Sequence, residues 1–144
     1  MGEKVTASFL KDIDKPSPGF LSLIFSDAKR IEEAIYLPWY QKSYSEYRGI
    51  WGCNWGIRLK DIIDVNGFDE DYVNATVGED VDIEWRLRQS GIKFKPLKHK
   101  AIVYHLFHKE NYNNEVITFN KAIFEKKKKD GRLKCQNGII KLTS

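Results

Sequence analysis

Three short segments of the sequence contain the side chains that are most capable of chemistry. They are the run Gly52-Cys53-Asn54, the carboxylates Glu79, Asp80 and Asp82, and the histidines His105 and His108. A carboxylate can take a proton from a hydroxyl group, and imidazole is a suitable ligand for a divalent metal ion. Each segment alone is a weak signal, because carboxylates in the first turn of a helix are common and are stabilised by its dipole. A structural role for the carboxylates and an incidental one for the histidines therefore stay open as alternatives.

The clearest predicted helix carries these carboxylates at its start. It runs from Glu79 to Ser90, because apolar Ile83 and Leu87 lie four residues apart and Gly91 is suited to end the helix. Three more helices are predicted, at Leu21–Tyr36, Leu59–Val65 and Asn114–Lys129. The turn-forming pair Asn66-Gly67 is expected to close the helix at Leu59–Val65.

Strands are predicted where aromatic and β-branched residues are concentrated. These runs are Ile50–Ile57, Ile92–Phe94 and Ala101–Tyr104. Asn137-Gly138 lies at the centre of Leu133–Leu142 and is a strong short-range signal for a β-hairpin. The mixture of elements predicts an α/β (mixed α+β) fold, in which helices pack on a small mixed sheet.

The division of the chain follows from its turn-forming residues. Residues 1–20 are interpreted as a linker or a cut edge, because Pro16, Pro18 and Gly19 disfavour regular structure. Residues 21–130 are expected to form the globular part, and residues 131–144 a C-terminal β-hairpin. At 144 residues and 42% hydrophobic, the chain is long enough for one modest core.

Charge and cysteine content narrow the classes of function. The net charge of +4 suits a phosphate-bearing ligand, an anionic membrane surface or a nucleic acid. Much of that charge lies in the lysine run 126–129, which is interpreted as the solvated end of a helix. The two cysteines, Cys53 and Cys135, form no CxxC pair, which favours a reducing cytosol over a disulfide framework or a zinc site. No apolar run approaches the roughly 20 residues of a membrane helix.

The order and spacing of these segments resemble the C-terminal half of family 2 glycosyltransferases and of metal-dependent galactosyltransferases. The resemblance covers about Trp51 to Glu115. In these families a glycine-rich strand with a small-residue turn is followed by an asparagine-glycine-phenylalanine segment, which is found here at 66–68. A glycine-glutamate-aspartate motif at 78–80 then opens a helix that ends in arginine-leucine, and a histidine follows a strand with asparagine-glutamate six and seven residues further on.

This resemblance implies a fold, an activity and a set of roles. The fold would be the acceptor-side, C-terminal half of the GT-A fold. The activity would be inverting, hexosyltransferase-type transfer from a nucleotide-diphosphate sugar to a glycan or lipid-linked hydroxyl, as in polysaccharide biosynthesis. Asp80 matches the general base, and Glu79 matches the residue that hydrogen-bonds sugar hydroxyls. His108 matches a ligand of Mn²⁺ or Mg²⁺, with His105 as a second candidate. The remaining residues assigned to substrate binding are Gly52, Asn54, Trp55 and Asp82.

The sequence also departs from the resembled families. GT-A enzymes bind the nucleotide on an N-terminal half that carries an aspartate-x-aspartate motif, and no segment here supplies that half. Asp12-Ile13-Asp14 has the letters but follows a poor strand and precedes Pro16. The chain is therefore expected to be a fragment that is inactive alone and that self-associates through the face left uncovered.

Two other classes of function stay open from the sequence. A non-catalytic carbohydrate-binding module could stack Trp51, Trp55 and Tyr72 on sugar rings. Nucleic-acid binding through the lysine run is disfavoured because no recognised nucleic-acid motif is present. The expected location is the cytoplasm, with peripheral contact at the inner membrane surface as an open alternative.

Overall fold

A computed structural model of the chain describes residues 32, 35–40, 49–50, 52–73, 78–103 and 113–142. The chain divides into two compact units. The first comprises Met1–Tyr47 and Lys95–Glu110, and the second comprises Arg48–Phe94 and Asn111–Ser144. The described residues of the second unit contain three helices, α1 (Leu59–Asp64), α2 (Glu79–Gln89) and α3 (Asn114–Asp130).

Helix α1 is short and ends in a Schellman motif. The N–H of Asn66 donates to the carbonyl of Ile63 (2.9 Å), and the N–H of Gly67 donates to the carbonyl of Ile62 (2.8 Å). Asn66 and Gly67 have φ angles of 65° and 75°, in the left-handed region that asparagine and glycine tolerate best. The predicted closure of this helix at Asn66-Gly67 is confirmed.

Helix α2 provides the centre of the core. Its Ile83 and Leu87 are fully buried and form a cluster with Val65 at the end of α1. The helix ends at Gln89, one residue earlier than predicted, and is closed by Gly91, where φ is 82° and the next amide, that of Ile92, donates to the carbonyl of Leu87 (3.0 Å). The predicted helix and its glycine end are both confirmed. Partly buried residues that pack against the cluster are Ile50, Trp55, Ile57, Ile62, Ile92 and Phe94.

Helix α3 has a cap at each end. The side chain of Asn113 accepts a hydrogen bond from the N–H of Glu115 (2.9 Å), and Gly131 ends the helix with φ 66°. The predicted helix at Asn114–Lys129 is thus confirmed, with its end one residue later. In the lysine run, Lys127 is half-buried because its ammonium group bonds to Asp69 and Asp71, whereas the other three lysines are exposed.

The C-terminal segment folds back on the end of α1. Its only β feature within the described residues is one antiparallel bridge between Asn137 and Lys141. Asn137 is itself a bridge residue, so the prediction of a hairpin centred on Asn137-Gly138 over Leu133–Leu142 was wrong in its register. The backbone of this segment is bonded by the side chain of Asn66 in place of a partner strand. The Asn66 side chain donates to the carbonyls of Cys135 and Ile140 (both 2.8 Å) and accepts from the N–H of Ile140 (2.9 Å).

The strands predicted elsewhere are not formed by the residues that can be described. Residues 52–54 make a turn and a bend, and residues 92–94 and 101–103 have no ladder partner. In the first of these runs, the N–H of Ile50 donates to a side-chain carboxylate on α2 instead of to a neighbouring strand. The helix predicted at Leu21–Tyr36 lies almost wholly outside the described ranges.

The described part of the first unit is a small polar cluster around His99. The N–H of Leu37 donates to the His99 carbonyl (2.9 Å), and the His99 ring Nδ1 lies 2.9 Å from the carbonyl oxygen of Ile35. The Tyr40 ring meets the imidazole edge to face, with 4.8 Å between centroids. Within the described ranges, every helix is too short or too polar to span a bilayer.

Candidate functional site

The start of α2 places two of the predicted site carboxylates next to each other. Glu79 and Asp80 are the first two residues of the helix, and both are partly exposed. Gly78 precedes them at a point of close packing, where a Cβ atom would lie 2.6 Å from the Tyr72 ring and 3.2 Å from Cβ of Asn120. Glycine is therefore required here to bring the helix start against α3.

The turn at 52–54 lies against Asp80. A Cβ atom built on Gly52 would be 3.7 Å from Oδ2 of Asp80 and 3.9 Å from its Cβ. Gly52, Cys53 and Asn54 are all exposed, so this side of Asp80 is open to solvent rather than to the core. The structure thus brings together Gly52 and Asp80, two residues that the sequence assigns to one site.

Glu79 contributes a buried carboxylate oxygen that lacks a partner. Its Oε2 is buried and makes no hydrogen bond to any residue described here. Burial raises the pKa of the Glu79 carboxyl, and the charge of the neighbouring Asp80 raises it further. A buried polar atom without a partner costs free energy, so this oxygen is suited to accept or share a hydrogen with a bound ligand hydroxyl.

Asp82 faces the interior and not the open side of the site. Its side chain is 1% exposed, and its Oδ2 accepts a hydrogen bond from Nε of Arg86 (2.8 Å). Arg86, also buried, donates from Nη1 to the carbonyls of Val65 (2.7 Å) and Gly67 (2.9 Å). Burial raises the pKa of Asp82 against the opposing effect of Arg86. The Asp82–Arg86 pair therefore connects α2 to the end of α1. Contact between Asp82 and a substrate stays a prediction.

A second polar group lies between α3 and the segment after α1. The ammonium group of Lys127 bonds to Asp69 and lies 2.6 Å from Oδ2 of Asp71. Asp71 also accepts from Nδ2 of Asn137 (2.5 Å), and the bonds to Lys127 and Asn137 lower the pKa of its carboxyl. The Tyr72 hydroxyl is buried and has no hydrogen-bond partner within bonding distance in the part of the chain that the structure describes, and burial together with the nearby Asp82 charge raises its pKa.

Asp69, Asp71 and Lys127 line one side of a cleft of about 460 Å³, together with Asp82 and Arg86 of α2. Further lining residues come from α3 and from the segment that follows it, among them Phe119, Ile123, Arg132 and Lys134. Gly52, Glu79 and Asp80 do not line the cleft. These three predicted site residues thus lie on an open surface at the start of α2, whereas Asp82, which the sequence assigns to the same site, lines the cleft.

Trp55 lies at the edge of the core. Its ring packs edge to face on Phe68, with 5.9 Å between centroids, and it contacts the cluster around Ile83. Trp55 is partly exposed, so one part of its indole ring packs against the core and the rest faces solvent. Both cysteines are free, Cys53 in the exposed turn and Cys135 buried.

The predicted metal ligands cannot be placed. His105 and His108 lie outside the described residues, as do Trp51 and Asn74–Val77. Elsewhere in the described ranges, no three His, Cys, Asp or Glu side chains come together as a metal site. The described residues therefore offer no metal centre of their own.

Comparison with known families gives a match to the central part of the chain. Residues 39–109 match the family model described as the N-terminal domain of galactosyltransferase. This match supports a galactosyltransferase-like glycosyltransferase domain. The matched segment includes the 52–54 turn, α1, α2 and both histidines, whereas α3 and the C-terminal segment lie beyond it. No curated protein and no solved structure matches the chain.

Sequence reasoning missed three residues that hold this galactosyltransferase-like segment together. Asn66 anchors the C-terminal segment, Arg86 joins α2 to α1, and Glu84 binds the backbone before the 52–54 turn. Asn66 and Arg86 both lie in segments on which the family resemblance rests. Each is a polar residue next to apolar residues, and this pattern could have indicated a buried polar side chain with a structural role. Glu84 had no such signal, because a glutamate four residues after Asp80 is ordinary on a helix surface.

Proposed function

We propose that the chain is the acceptor side of an inverting glycosyltransferase with the GT-A fold, in which Asp80 is the catalytic base. The observation that carries the proposal is the open position of the Asp80 carboxylate against Gly52, beside the unpartnered oxygen of Glu79. The galactosyltransferase-like match supports the class of reaction. The mixed α/β fold and the relation to family 2 enzymes belong to the same proposal.

In the proposed reaction, an acceptor hydroxyl lies at Oδ2 of Asp80. The carboxylate takes the hydroxyl proton as the oxygen bonds to the anomeric carbon, while the bond from that carbon to the nucleotide diphosphate breaks on the opposite face. A single displacement of this kind inverts the anomeric configuration. Glu79 would hold a sugar hydroxyl, because its buried oxygen gains there the hydrogen bond that it lacks.

A divalent metal ion is part of the proposal, and its protein ligands are the histidines that the family resemblance implies. A bound Mn²⁺ or Mg²⁺ would stabilise the charge of the departing diphosphate. His108, with His105 as a second candidate, would be its ligand in this chain. No step of the mechanism above depends on these histidines.

The expected partners follow from the reaction. The donor is a nucleotide-diphosphate sugar, and the acceptor is a glycan or lipid-linked hydroxyl. We also propose that the chain acts in the cytoplasm, that it needs a nucleotide-binding half for turnover, and that without that half it self-associates. Dynamic light scattering of the chain alone tests the last point, and a monomer at high micromolar concentration would contradict it.

The test of the proposed function is transfer by the protein that carries this chain at its natural length. A panel of nucleotide sugars is supplied with Mn²⁺, and product is measured for wild type, Asp80→Asn and the matched control Asp64→Asn. Asp64 is an exposed carboxylate at the end of α1 that pairs with Lys60. We expect Asp80→Asn to lower kcat by about 10² to 10⁴-fold with donor binding retained.

Three outcomes would count against the proposal. Ordinary turnover by Asp80→Asn would remove the residue from the role of base. An equal loss in Asp64→Asn would indicate a general effect of carboxylate removal. Glycan binding by wild type without transfer from any donor would favour the non-catalytic carbohydrate-binding module instead.

A further inference from the structure

The side chain of Glu84 bridges two parts of the second unit. Its Oε2 accepts a hydrogen bond from the N–H of Ile50 (2.7 Å), and its Oε1 accepts one from Nε of Arg88 (2.8 Å). The Glu84 side chain is 16% exposed, so its bond to Ile50 is partly shielded from water, whereas the bond to Arg88, which is 42% exposed, lies at the surface. A carboxylate that accepts two hydrogen bonds in such a setting is held in one orientation.

Glu84 and Asp80 lie on the same face of α2. They are four residues apart, and residues at this spacing are neighbours on a helix surface. Glu84 contacts the backbone at Ile50, and Asp80 lies against Gly52. Ile50 and Gly52 therefore each lie against α2 at positions that are one helical turn apart, where a turn rises about 5.4 Å. Ile50 is anchored by Glu84, and Gly52 faces Asp80.

The backbone next to the anchor is adapted to the carboxylate. Gly49 has φ 111°, a conformation that side-chain-bearing residues rarely adopt. A Cβ atom on Gly49 would also lie 3.3 Å from Oε2 of Glu84, closer than most such contacts. Gly49 thus lets the chain turn directly over the carboxylate, so that the N–H of Ile50 points at Oε2.

The other oxygen of Glu84 is held from the far side. Arg88, one turn further along α2, bonds to Oε1, and its guanidinium lies 4.7 Å from the centre of the Phe94 ring. The cation-π contact and the ion pair together limit the rotation of Arg88. Glu84 therefore loses little further freedom when it binds Ile50.

We propose that Glu84 is a positioning residue, which sets the distance between the 52–54 turn and Asp80 through the backbone of Ile50. The inference rests on the proposed function. Glu84 does not touch the acceptor, since both of its oxygens are engaged. Its effect is to fix the wall opposite the base, and a misplacement of about 1 Å in such a site can cost on the order of 10²-fold in rate.

The test compares Glu84→Ala with Glu84→Gln in the full-length protein. Glutamine retains an oxygen that can accept the Ile50 N–H, whereas alanine does not. We expect Glu84→Ala to lower kcat by about tenfold or more and to raise the KM for the acceptor, with donor affinity unchanged. We expect Glu84→Gln to recover most of that loss. Glu125→Ala, at an exposed glutamate of α3, is the matched control and should behave as wild type.

A second readout reports the anchor itself, independently of turnover. Hydrogen exchange at the Ile50 amide should be at least about tenfold faster in Glu84→Ala than in wild type, and close to wild type in Glu84→Gln. Should Glu84→Ala fail to fold, Gly49→Ala provides a second variant, because the strain at φ 111° and the methyl group 3.3 Å from Oε2 both displace the Ile50 N–H while the Glu84 side chain is retained. It should also lower kcat.

The outcomes separate this inference from the proposed function. Unchanged transfer in Glu84→Ala, an unchanged Ile50 amide, or equal losses in the alanine and glutamine variants would overturn the positioning role. Absence of transfer by wild type from every donor would overturn the proposed function, and with it the catalytic role of Glu84, even where the Ile50 amide is protected.

Discussion

Gly52 faces the carboxylate of Asp80, and a methyl group on Gly52 would lie 3.7 Å from Oδ2. That distance is ordinary van der Waals contact, so the position is close to the carboxylate without being filled. Gly52 is also exposed, which leaves space for a ligand next to Asp80. Glycine at position 52 therefore leaves space beside Asp80, and it is not needed for packing in the core.

The size of residue 52 should control access to Asp80. We expect Gly52→Ala to keep the stability of wild type within about 0.5 kcal/mol, because the methyl group fits. Gly52→Val should raise the KM for the acceptor by about tenfold or more by occupying space at Oδ2. Steady-state kinetics with varied acceptor checks this. Gly56→Val is the control, since no atom lies within 4 Å of a Cβ there, and an equal loss in that variant would contradict the assignment.

Glu79 should reduce stability at neutral pH. Its folded-state pKa is raised by burial, so the folded protein holds the proton more tightly than the unfolded chain. The contribution is favourable below the unfolded pKa, and it is lost as pH rises from about 4.5 through the folded pKa. Glu79→Gln should remove this loss, so that the variant is more stable than wild type at pH 7 but poorer in transfer.

Urea unfolding of wild type and Glu79→Gln between pH 4 and 8 checks the prediction. The difference in the free energy of unfolding between the two proteins should grow with pH in favour of the variant. Glu115→Gln is the control, because Glu115 is an exposed glutamate in the first turn of α3. A difference that does not change with pH would contradict the claim that burial raises the pKa of the Glu79 carboxyl in the folded protein.

His108 is predicted to couple metal and nucleotide binding. In the full-length protein, His108→Ala should weaken Mn²⁺ affinity and Mn²⁺-dependent nucleotide affinity together, because an ion that bridges protein and diphosphate serves both. His105→Ala should have the smaller effect. Isothermal titration calorimetry with Mn²⁺ and a nucleoside diphosphate measures both affinities, and unchanged values in the two variants would remove the metal role.

Arg86 should be essential for stability and not for substrate binding. Arg86→Met leaves the Asp82 carboxylate buried without its cation and removes the donor to Val65 and Gly67. We expect a loss of about 3 to 5 kcal/mol in the free energy of unfolding. The double variant Asp82→Leu/Arg86→Met should lose less than Arg86→Met alone, because no unpaired charge is left in the interior.

Chemical denaturation of the two variants tests this account. Lys60→Met is a suitable control, since Lys60 pairs with Asp64 and both side chains are exposed, so its effect should be much smaller. A double variant that is less stable than Arg86→Met would contradict the charge argument. Acceptor affinity in any folded variant should be close to that of wild type if Asp82 acts only in the interior.

Asn66 should hold the C-terminal segment by its side chain. Asn66→Gly keeps a left-handed backbone accessible but removes three hydrogen bonds to Cys135 and Ile140, so we expect a loss of about 2 to 4 kcal/mol. Asn66→Ala should lose about 1 to 2 kcal/mol more, because alanine disfavours a φ of 65°. Hydrogen exchange should be faster at Ile139 and Ile140, and Asn114→Ala should leave it unchanged.

The helices could be predicted because their signals are local. Ile83 and Leu87 recur at helical spacing, and α2 is closed by hydrogen bonds from the N–H of Gly91 to the carbonyl of Arg88 and from the N–H of Ile92 to the carbonyl of Leu87. The end of α1 at Asn66-Gly67 depends on bonds of the same range. Local hydrogen bonds and left-handed backbone preferences are properties of a few consecutive residues, so the sequence alone contains the information needed to place them.

The errors arose where a distant group competes with a local preference. Asn137-Gly138 favours a hairpin turn, but the side chain of Asn66 binds this segment from more than sixty residues away and shifts its register. The run 50–57 has the composition of a strand, but a carboxylate on α2 takes the Ile50 amide. A backbone N–H bonds to whichever acceptor the tertiary structure brings to it, and composition does not specify that acceptor.

The candidate site shows the same division. The sequence determined that a carboxylate pair begins a helix, that a small-residue turn precedes it in the chain, and that both resemble parts of a glycosyltransferase. Only the tertiary structure decided that Gly52 lies against Asp80, that Glu79 carries an unpartnered oxygen, and that Asp82 points inward to Arg86. The reason is that the three carboxylates lie within one helical turn, so their neighbours in the sequence are nearly the same. Which of them is buried depends instead on which face of α2 packs against Val65 and the end of α1.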